Sequence, residues 1–269
     1  MAVIAIPSRA SSRDRLRWTI ADAMTVTKRN LIHVIRVPQV LVFTLVQPVM
    51  FVLLFTYVFG GAIKAALPPG AKYVNYLLPG ILIALTAFAA MNSGIGLAED
   101  LNKGLIDRFR SLPMARSAVL AGRTISDLVR NVFVLLLIYG VGSAVGFRVL
   151  TNPLKALAAL GVLLLFGHAM SWIGATVGLT LRDPESVQAA GFVWIFPLIF
   201  ASGLFVPIGT LPGWLQAFAK NQPVSVAGEA VRALLAGGPL YPTLWKTLAW
   251  CVGLLIVFAW LAVSRYRKT

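Results

Sequence analysis

Cysteine, histidine and acidic residues are all scarce in this chain, and each scarcity removes a class of function. The single cysteine, Cys251, stands inside an apolar run, so no intramolecular disulfide and no cysteine-built metal site can form. It reads as a small packing residue. The two histidines, His33 and His168, come without an H-E-x-x-H pair or a cluster of carboxylates, which leaves no zinc or di-metal motif. No G-x-x-x-x-G-K-[ST] phosphate loop occurs, so nothing here cradles nucleotide phosphates on backbone amides, and the chain cannot hydrolyse ATP alone. Charge is thin as well: 12% of the residues are Asp, Glu, Lys or Arg, about half the share in a soluble domain.

What is abundant is apolar surface. Hydrophobic residues make up 58% of the 269 positions and the mean hydropathy is +0.83, more than a water-soluble globule can hide. No stretch is polar enough to form a separate soluble module. The net charge of +15 could suit nucleic acid, but the basic residues sit between apolar runs. That is the distribution of loops and termini that face anionic lipid, so membrane lipid is the expected partner and nucleic acid is not.

A spanning helix needs about 20 mostly apolar residues. Six runs qualify, at residues 40–59, 76–97, 132–149, 154–181, 187–206 and 244–263. The expected fold is an all-α membrane protein with six transmembrane helices. Residues 1–37 are expected to form a cytoplasmic tail and an amphipathic helix, and residues 38–269 the transmembrane domain. Within the tail, Leu16, Ile20, Met24, Leu31 and Ile35 recur at helical spacing among Arg15, Arg17, Lys28, Arg29 and Arg36. Such a helix lies in the interface with its arginines at the head groups, or serves as an ordinary linker. The tail lacks a compact apolar core followed by a cleavage site, unlike a secretory signal peptide. With both termini inside, more than twice as many Lys and Arg residues fall inside as outside, and Glu229 is the one acid outside, which supports an even number of spans.

Two connections are long. Residues 207–242 are broken by Pro212, Gly213, Pro223, Gly237, Gly238 and Pro239 into apolar pieces too short to span, such as Trp214 to Phe218 and Val226 to Leu235. They fit external re-entrant half-helices between spans five and six, or a loose loop. The other connection, on the cytoplasmic side, begins with residues 97–113. It interleaves Glu99, Asp100, Asp107, Arg108 and Arg110 with Leu101, Leu105, Phe109 and Leu112, and it breaks at Pro113. A short amphipathic helix of this kind suits docking into a partner's groove, apolar anchors giving affinity and charges fixing register; the plainer reading is a charged loop at the bilayer surface.

The spans are almost free of charge, which argues against a proton-relay pump. His168, in mid-span, makes an interhelical hydrogen bond or, less readily, serves a ligand or proton. Phe55, Phe88, Trp194 and Phe200, with Asn92 as a polar point, could line a pathway for an amphipathic cargo; otherwise they are packing and lipid-facing surface. A membrane-embedded lipid enzyme would need paired carboxylates on facing helices. Glu99, Asp100 and Asp107 are near one another but lie among bases.

Several stretches together resemble the membrane subunits of ABC-2 exporters, particularly the daunorubicin-resistance type of drug permease. They are Leu78-Pro79-Gly80, Glu99-Asp100 through Arg108-Phe109-Arg110-Ser111-Leu112-Pro113-Met114, Gly122-Arg123 with Asp127 and Arg130, Pro212-Gly213-Trp214-Leu215, and Asn221-Gln222-Pro223-Val224. The resemblance implies a coupling helix over 99–113, with Glu99, Gly104 and Pro113 placed like the E, G and P of the importers' EAA loop. It implies that Asp100, Asp107, Arg108, Phe109 and Arg110 meet a separate ATP-binding subunit, present in two copies, which carries ATP and magnesium. It further implies no cofactor, metal or catalytic residue on this chain, and a second permease half that is either an identical copy or a related subunit. Pro212, Trp214, Asn221 and Pro223 fall in the family's external re-entrant helices, and the location implied is the bacterial inner membrane. The implied function is export of a hydrophobic drug or natural product. Export of a lipid-linked glycan or envelope lipid stays open, since the same fold carries both.

Overall fold

A computed structural model describes residues 38–64, 67, 70, 72–104 and 116–268. The expected amphipathic helix and most of the docking segment lie outside these residues. Among the described residues the structure is helical, without strands. The helices are α1 (Pro38–Leu54, running on through a π-helical turn at Phe55–Phe59), α2 (Gly60–Lys64), α3 (Tyr73–Asn102), α4 (Arg116–Val145), α5 (Pro153–Leu181), α6 (Pro184–Phe200), α7 (Gly213–Ala219), α8 (Pro223–Ala236) and α9 (Thr243–Lys268).

The starts of α5, α6 and α8 share one local device. Asn152, Asp183 and Gln222 each accept a backbone N–H of the first turn with a side-chain oxygen, and a proline follows at once. The cap satisfies a donor that has no helical partner, and the proline supplies a preset φ where its missing N–H costs nothing. This is the local meaning of Gln222-Pro223 in the motif noted above.

Five of the described helices are long and apolar enough to cross a membrane, at Val46–Ile63, Tyr73–Asn102, Ser126–Val145, Pro153–Leu181 and Thr243–Tyr266. Of the six expected spans, the fifth is shorter than the rest. Residues 187–206 do not form one span: α6 covers 17 residues and stops at Phe200, about 25 Å of helix against a hydrocarbon core of about 30 Å. Pro197 lies in its last turn, and the chain then bends through 201–206 so that the carbonyls of Gly203, Leu204 and Phe205 accept side-chain donors from other helices. The third span also differs. Its helix begins at Arg116 and ends at Val145, where Gly146 turns the chain at φ 112°, so residues 146–149 lie outside it.

At the centre, α3 packs most extensively on α5, and α4, α6 and α8 complete its surround. Small residues make this contact possible. A Cβ on Gly174 would lie 1.8 Å from the carbonyl oxygen of Ala90, so the two backbones touch where any side chain would wedge them apart. Without water to drive helices together, such close approach is a principal source of association in a bilayer. Gly80 does the same for the bend, since a Cβ there would lie 2.4 Å from the Leu204 carbonyl oxygen. That contact accounts for the glycine of Leu78-Pro79-Gly80. The α8 helix is too short to span, yet Val226, Ala227, Ala230 and Val231 are all buried. It packs against α3, α5 and α9 as a plug at one end of the bundle.

Candidate functional site

Between α1, α3, α4 and α6 lies a cavity of about 500 Å³. Its walls are apolar, with Phe51 from α1, Ile81 and Phe88 from α3, Leu135 from α4, Phe192 from α6 and Phe205 from the bend. Its polar lining residues are Gln47 of α1 and, on the α3–α4 side that forms a polar corner, Thr86, Asn92, Arg130 and Asn131. The size lies within the ~300–1,000 Å³ of small-molecule sites, and a mostly apolar lining with a few convergent polar groups is their usual composition.

Behind the polar corner, the Ser93 hydroxyl donates to the Asp127 carboxylate at 2.5 Å, and both residues are buried. Arg130, one turn along α4, places Nη2 3.5 Å from the other Asp127 oxygen. That is an ion-pair distance, but Nη2 makes no hydrogen bond and is buried. Asp127 therefore ties α3 to α4 and holds a guanidinium at the cavity edge. The sequence reading kept charge out of the spans. The structure places Asp127 and Arg130 on the same continuous helix α4 that carries the apolar run from residue 132, within two turns of that run. Their i, i+3 spacing was the available signal.

Of the five residues expected to line a pathway, Phe88 and Asn92 line this cavity. Phe55 and Phe200 instead flank Phe205: the Phe55 ring stacks on it at 4.9 Å between centroids, and Phe200 lies 5.6 Å away. The chain of rings continues from Phe200 to Phe196 and from there to Phe192 and Phe88. Trp194 does not line the cavity and packs on the main core. An aromatic ladder thus joins α1, α3 and α6 around the cavity, each contact in the distance range favoured by edge or offset geometry.

At the α8 end lies Arg232, within the 207–242 segment expected to hold external re-entrant half-helices or a loop. It is partly buried. Its Nε donates to the Tyr76 carbonyl at 3.1 Å, its Nη2 to the Gly203 and Leu204 carbonyls at 3.0 and 3.3 Å, and its guanidinium lies 3.7 Å above the Tyr76 ring. The hydroxyls of Tyr73 and Tyr76 donate to the Phe205 and Gly203 carbonyls. Carbonyls released by the end of α6 are thereby satisfied by α3 and α8. Of the other predicted residues here, Pro212 immediately precedes α7, and its carbonyl accepts from Leu215 and Gln216. Trp214 is 77% exposed, the position of an interfacial tryptophan. Asn221 accepts from Trp250 Nε1 at 3.0 Å and so ties this segment to α9. Pro223 opens α8.

At the opposite end, Glu99 and Asp100 do not begin a separate helix. They lie on the last turn of α3, which runs to Asn102, and Glu99 makes an exposed ion pair with Lys103 at 3.0 Å. Gly104 turns the chain with a left-handed φ of 63°. Asp107, Arg108, Phe109, Arg110 and Pro113 lie outside the described residues. Glu99 is six residues from Ser93, about 9 Å along one continuous helix, so the cavity and the predicted docking segment share a rigid element. In His168, Nε2 accepts from Trp172 Nε1 at 3.2 Å within α5, which is not the interhelical bond expected.

A family model described as ABC-2 type transporter matches residues 22–236. The daunorubicin resistance ABC transporter permease protein DrrB1 of Streptomyces coeruleorubidus is 33% identical over 259 residues, 96% of this chain and 90% of that one. The doxorubicin resistance ABC transporter permease protein DrrC of Mycobacterium tuberculosis is 27% identical over 259 residues, 96% of this chain and 92% of its own. Another M. tuberculosis protein, the doxorubicin resistance permease DrrB, is 25% identical over 191 residues.

Proposed function

Starting from the fact that the chain belongs to the ABC-2 type transporter family, we propose that it is the membrane-spanning permease subunit of an ATP-driven exporter. Its cargo is a hydrophobic or amphipathic drug or natural product, carried out of the cell. The names of the three relatives described above, given for drug resistance, favour this cargo over a lipid-linked glycan. The observation that carries the reading is the apolar cavity with a polar corner, built on the same helix α3 whose last turn bears Glu99.

In this reading ATP and magnesium bind a separate ATP-binding subunit, two copies of which serve two permease halves, either identical or related. The α3–α4 connection faces the cytoplasm of a bacterium, as do both termini, and docks on the ATPase. Pro184–Phe200 with the bend after it counts as a shortened sixth crossing, and α7 and α8 are re-entrant from outside. Closure of the ATPases pushes the 99–113 segment. Because α3 is one rod from Tyr73 to Asn102, displacement at Glu99 reaches Asn92 and the cavity wall, and the halves tilt between inward- and outward-facing states.

The test is copurification with the ATP-binding subunit encoded beside it, followed by ATP hydrolysis and transport in lipid vesicles, with and without Glu99→Ala. The Glu99–Lys103 pair is exposed and contributes less than about 1 kcal/mol to folding, so the variant is expected to insert normally. It should lose most transport while hydrolysis continues uncoupled. Wild-type transport by Glu99→Ala at equal expression would remove Glu99 from the coupling role, and failure to bind any ATPase would overturn the exporter reading.

A further inference from the structure

The cavity holds an asymmetry of charge. Among the described residues that line it, Arg130 is the one ionisable group. Asp127, its counter-ion, stands outside the lining, turned instead to Ser93 on the α3–α4 seam. A molecule in the cavity therefore meets a guanidinium and no carboxylate. That guanidinium is incompletely used: Nη2 is buried, has no hydrogen bond, and touches Asp127 only at 3.5 Å. A buried donor without a partner is costly in a protein interior. Asn92 and Asn131 line the same cavity from α3 and α4, and a side-chain amide is a donor suited to an anionic oxygen.

We propose that this corner is a subsite for an anionic group, a carboxylate, sulfonate or phosphate, at one end of an amphipathic ligand whose apolar body lies against Phe51, Phe88 and Phe192. The guanidinium fork matches two oxygens of such a group. Asp127 acts as a positioning residue, because it holds Arg130 at the cavity edge without presenting its own charge to the ligand. The low-dielectric walls strengthen the attraction and disfavour a cationic head in the same place. Reading the ligand as cargo rests on the exporter function proposed above; the subsite itself does not.

The experiment uses the full chain in phosphatidylcholine nanodiscs and two fluorescent probes, dansyl-undecanoate and dansyl-undecyltrimethylammonium, which share fluorophore and chain and differ in the sign of the head. The anionic probe is expected to bind about tenfold more tightly, the effect of one charge-assisted contact. Arg130→Gln should abolish the preference, and Arg130→Lys should keep part of it. Because the chain as a whole is strongly basic, the near-equal net charge of Arg130→Gln separates the subsite from general attraction. Asn92 is exposed to the cavity, so Asn92→Asp is expected to fold and to cancel the preference with Arg130 left in place. Equal binding of the two probes by the unaltered chain, or a preference that survives both Arg130→Gln and Asn92→Asp, would overturn the proposal.

Repeating the titration in nanodiscs that contain phosphatidylglycerol distinguishes the sources of the anion. Competition would make a resident anionic lipid the occupant, and its absence would leave cargo, both through the same subsite. None of these measurements needs the ATPase, so a charge-selective cavity in a chain that couples to no ATPase would sink the exporter reading and spare the subsite.

Discussion

Two spans of equal hydropathy have opposite surroundings. The apolar windows of Val46–Ile63 and Tyr73–Asn102 share a mean hydropathy of 1.8, yet 11% of the first is buried and 78% of the second. The difference lies in side-chain size. The buried span carries Gly80, Ala84, Ala87, Ala90, Ser93, Gly94 and Ala98, all of them buried, and packs on α4, α5, α6 and α8. The bare span carries Met50, Leu54, Tyr57 and Val58, which project outward. In a bilayer, where lipid is as apolar as leucine, hydropathy decides that a helix enters the membrane and small residues decide which neighbours it keeps.

The contrast breaks hardest at the α3–α5 contact. Gly174→Leu is expected to prevent recovery of folded, monodisperse protein, because its Cβ meets the Ala90 carbonyl, a backbone atom that cannot give way. The cost exceeds the ~1–3 kcal/mol of ordinary overpacking. Gly161→Leu on the same α5 helix, where nothing lies within 4 Å, should elute from size-exclusion chromatography like the unaltered chain. Equal behaviour of the two variants would refute the packing argument.

A smaller effect is expected at the α8 end of α3. Arg232→Met removes a donor from the carbonyls of Tyr76, Gly203 and Leu204, of which Gly203 keeps the Tyr76 hydroxyl, and a drop in thermal stability corresponding to about 2 kcal/mol should follow. Arg232→Lys should recover little of it, since an ammonium cannot reproduce the fork or the stacking on Tyr76. Full recovery by lysine would reduce Arg232 to a point charge.

Least disruptive is a change on the bare face. Tyr57→Cys, at a side chain 70% exposed, should leave stability unchanged, and the chain's own Cys251 is buried. If a second copy covers this face, oxidation in native membranes should yield disulfide-linked dimers for Tyr57→Cys and none for Ala87→Cys inside the bundle. Monomers in both cases would assign the face to lipid and sharpen the contrast in the other direction.

Much of this molecule was legible beforehand. Long apolar runs bounded by charge or proline marked the spans that reach full length, since the bilayer demands internal satisfaction of every backbone group over a fixed thickness. Pro212 and Pro223 marked the short helices between 207 and 242 because proline is favoured at helix starts. The fifth span was misread because Ala201, Leu204, Phe205 and Val206 are apolar enough to continue a helix. The chain stops there because donors from Tyr73, Tyr76 and Arg232, distant in sequence, capture its carbonyls. Arg130 escaped notice as a cavity residue for a related reason: it precedes the third apolar run and falls in the charged cytoplasmic connection, whereas α4 is one helix from Arg116 that carries it to the cavity.

By itself, then, the sequence determined that this chain lives in a membrane, that it is helical, which family it joins, and that it carries no phosphate loop of its own. These follow from composition, from runs of local length and from motifs a few residues long. Only the tertiary structure decided which of two equally apolar spans forms the core, where the fifth apolar segment turns back, and that a cavity lined among the described residues by one guanidinium lies between α1, α3, α4 and α6. Each of these depends on contacts between residues dozens to more than a hundred positions apart, where a carbonyl meets a missing side chain or a donor finds its acceptor, and no local periodicity encodes such a meeting.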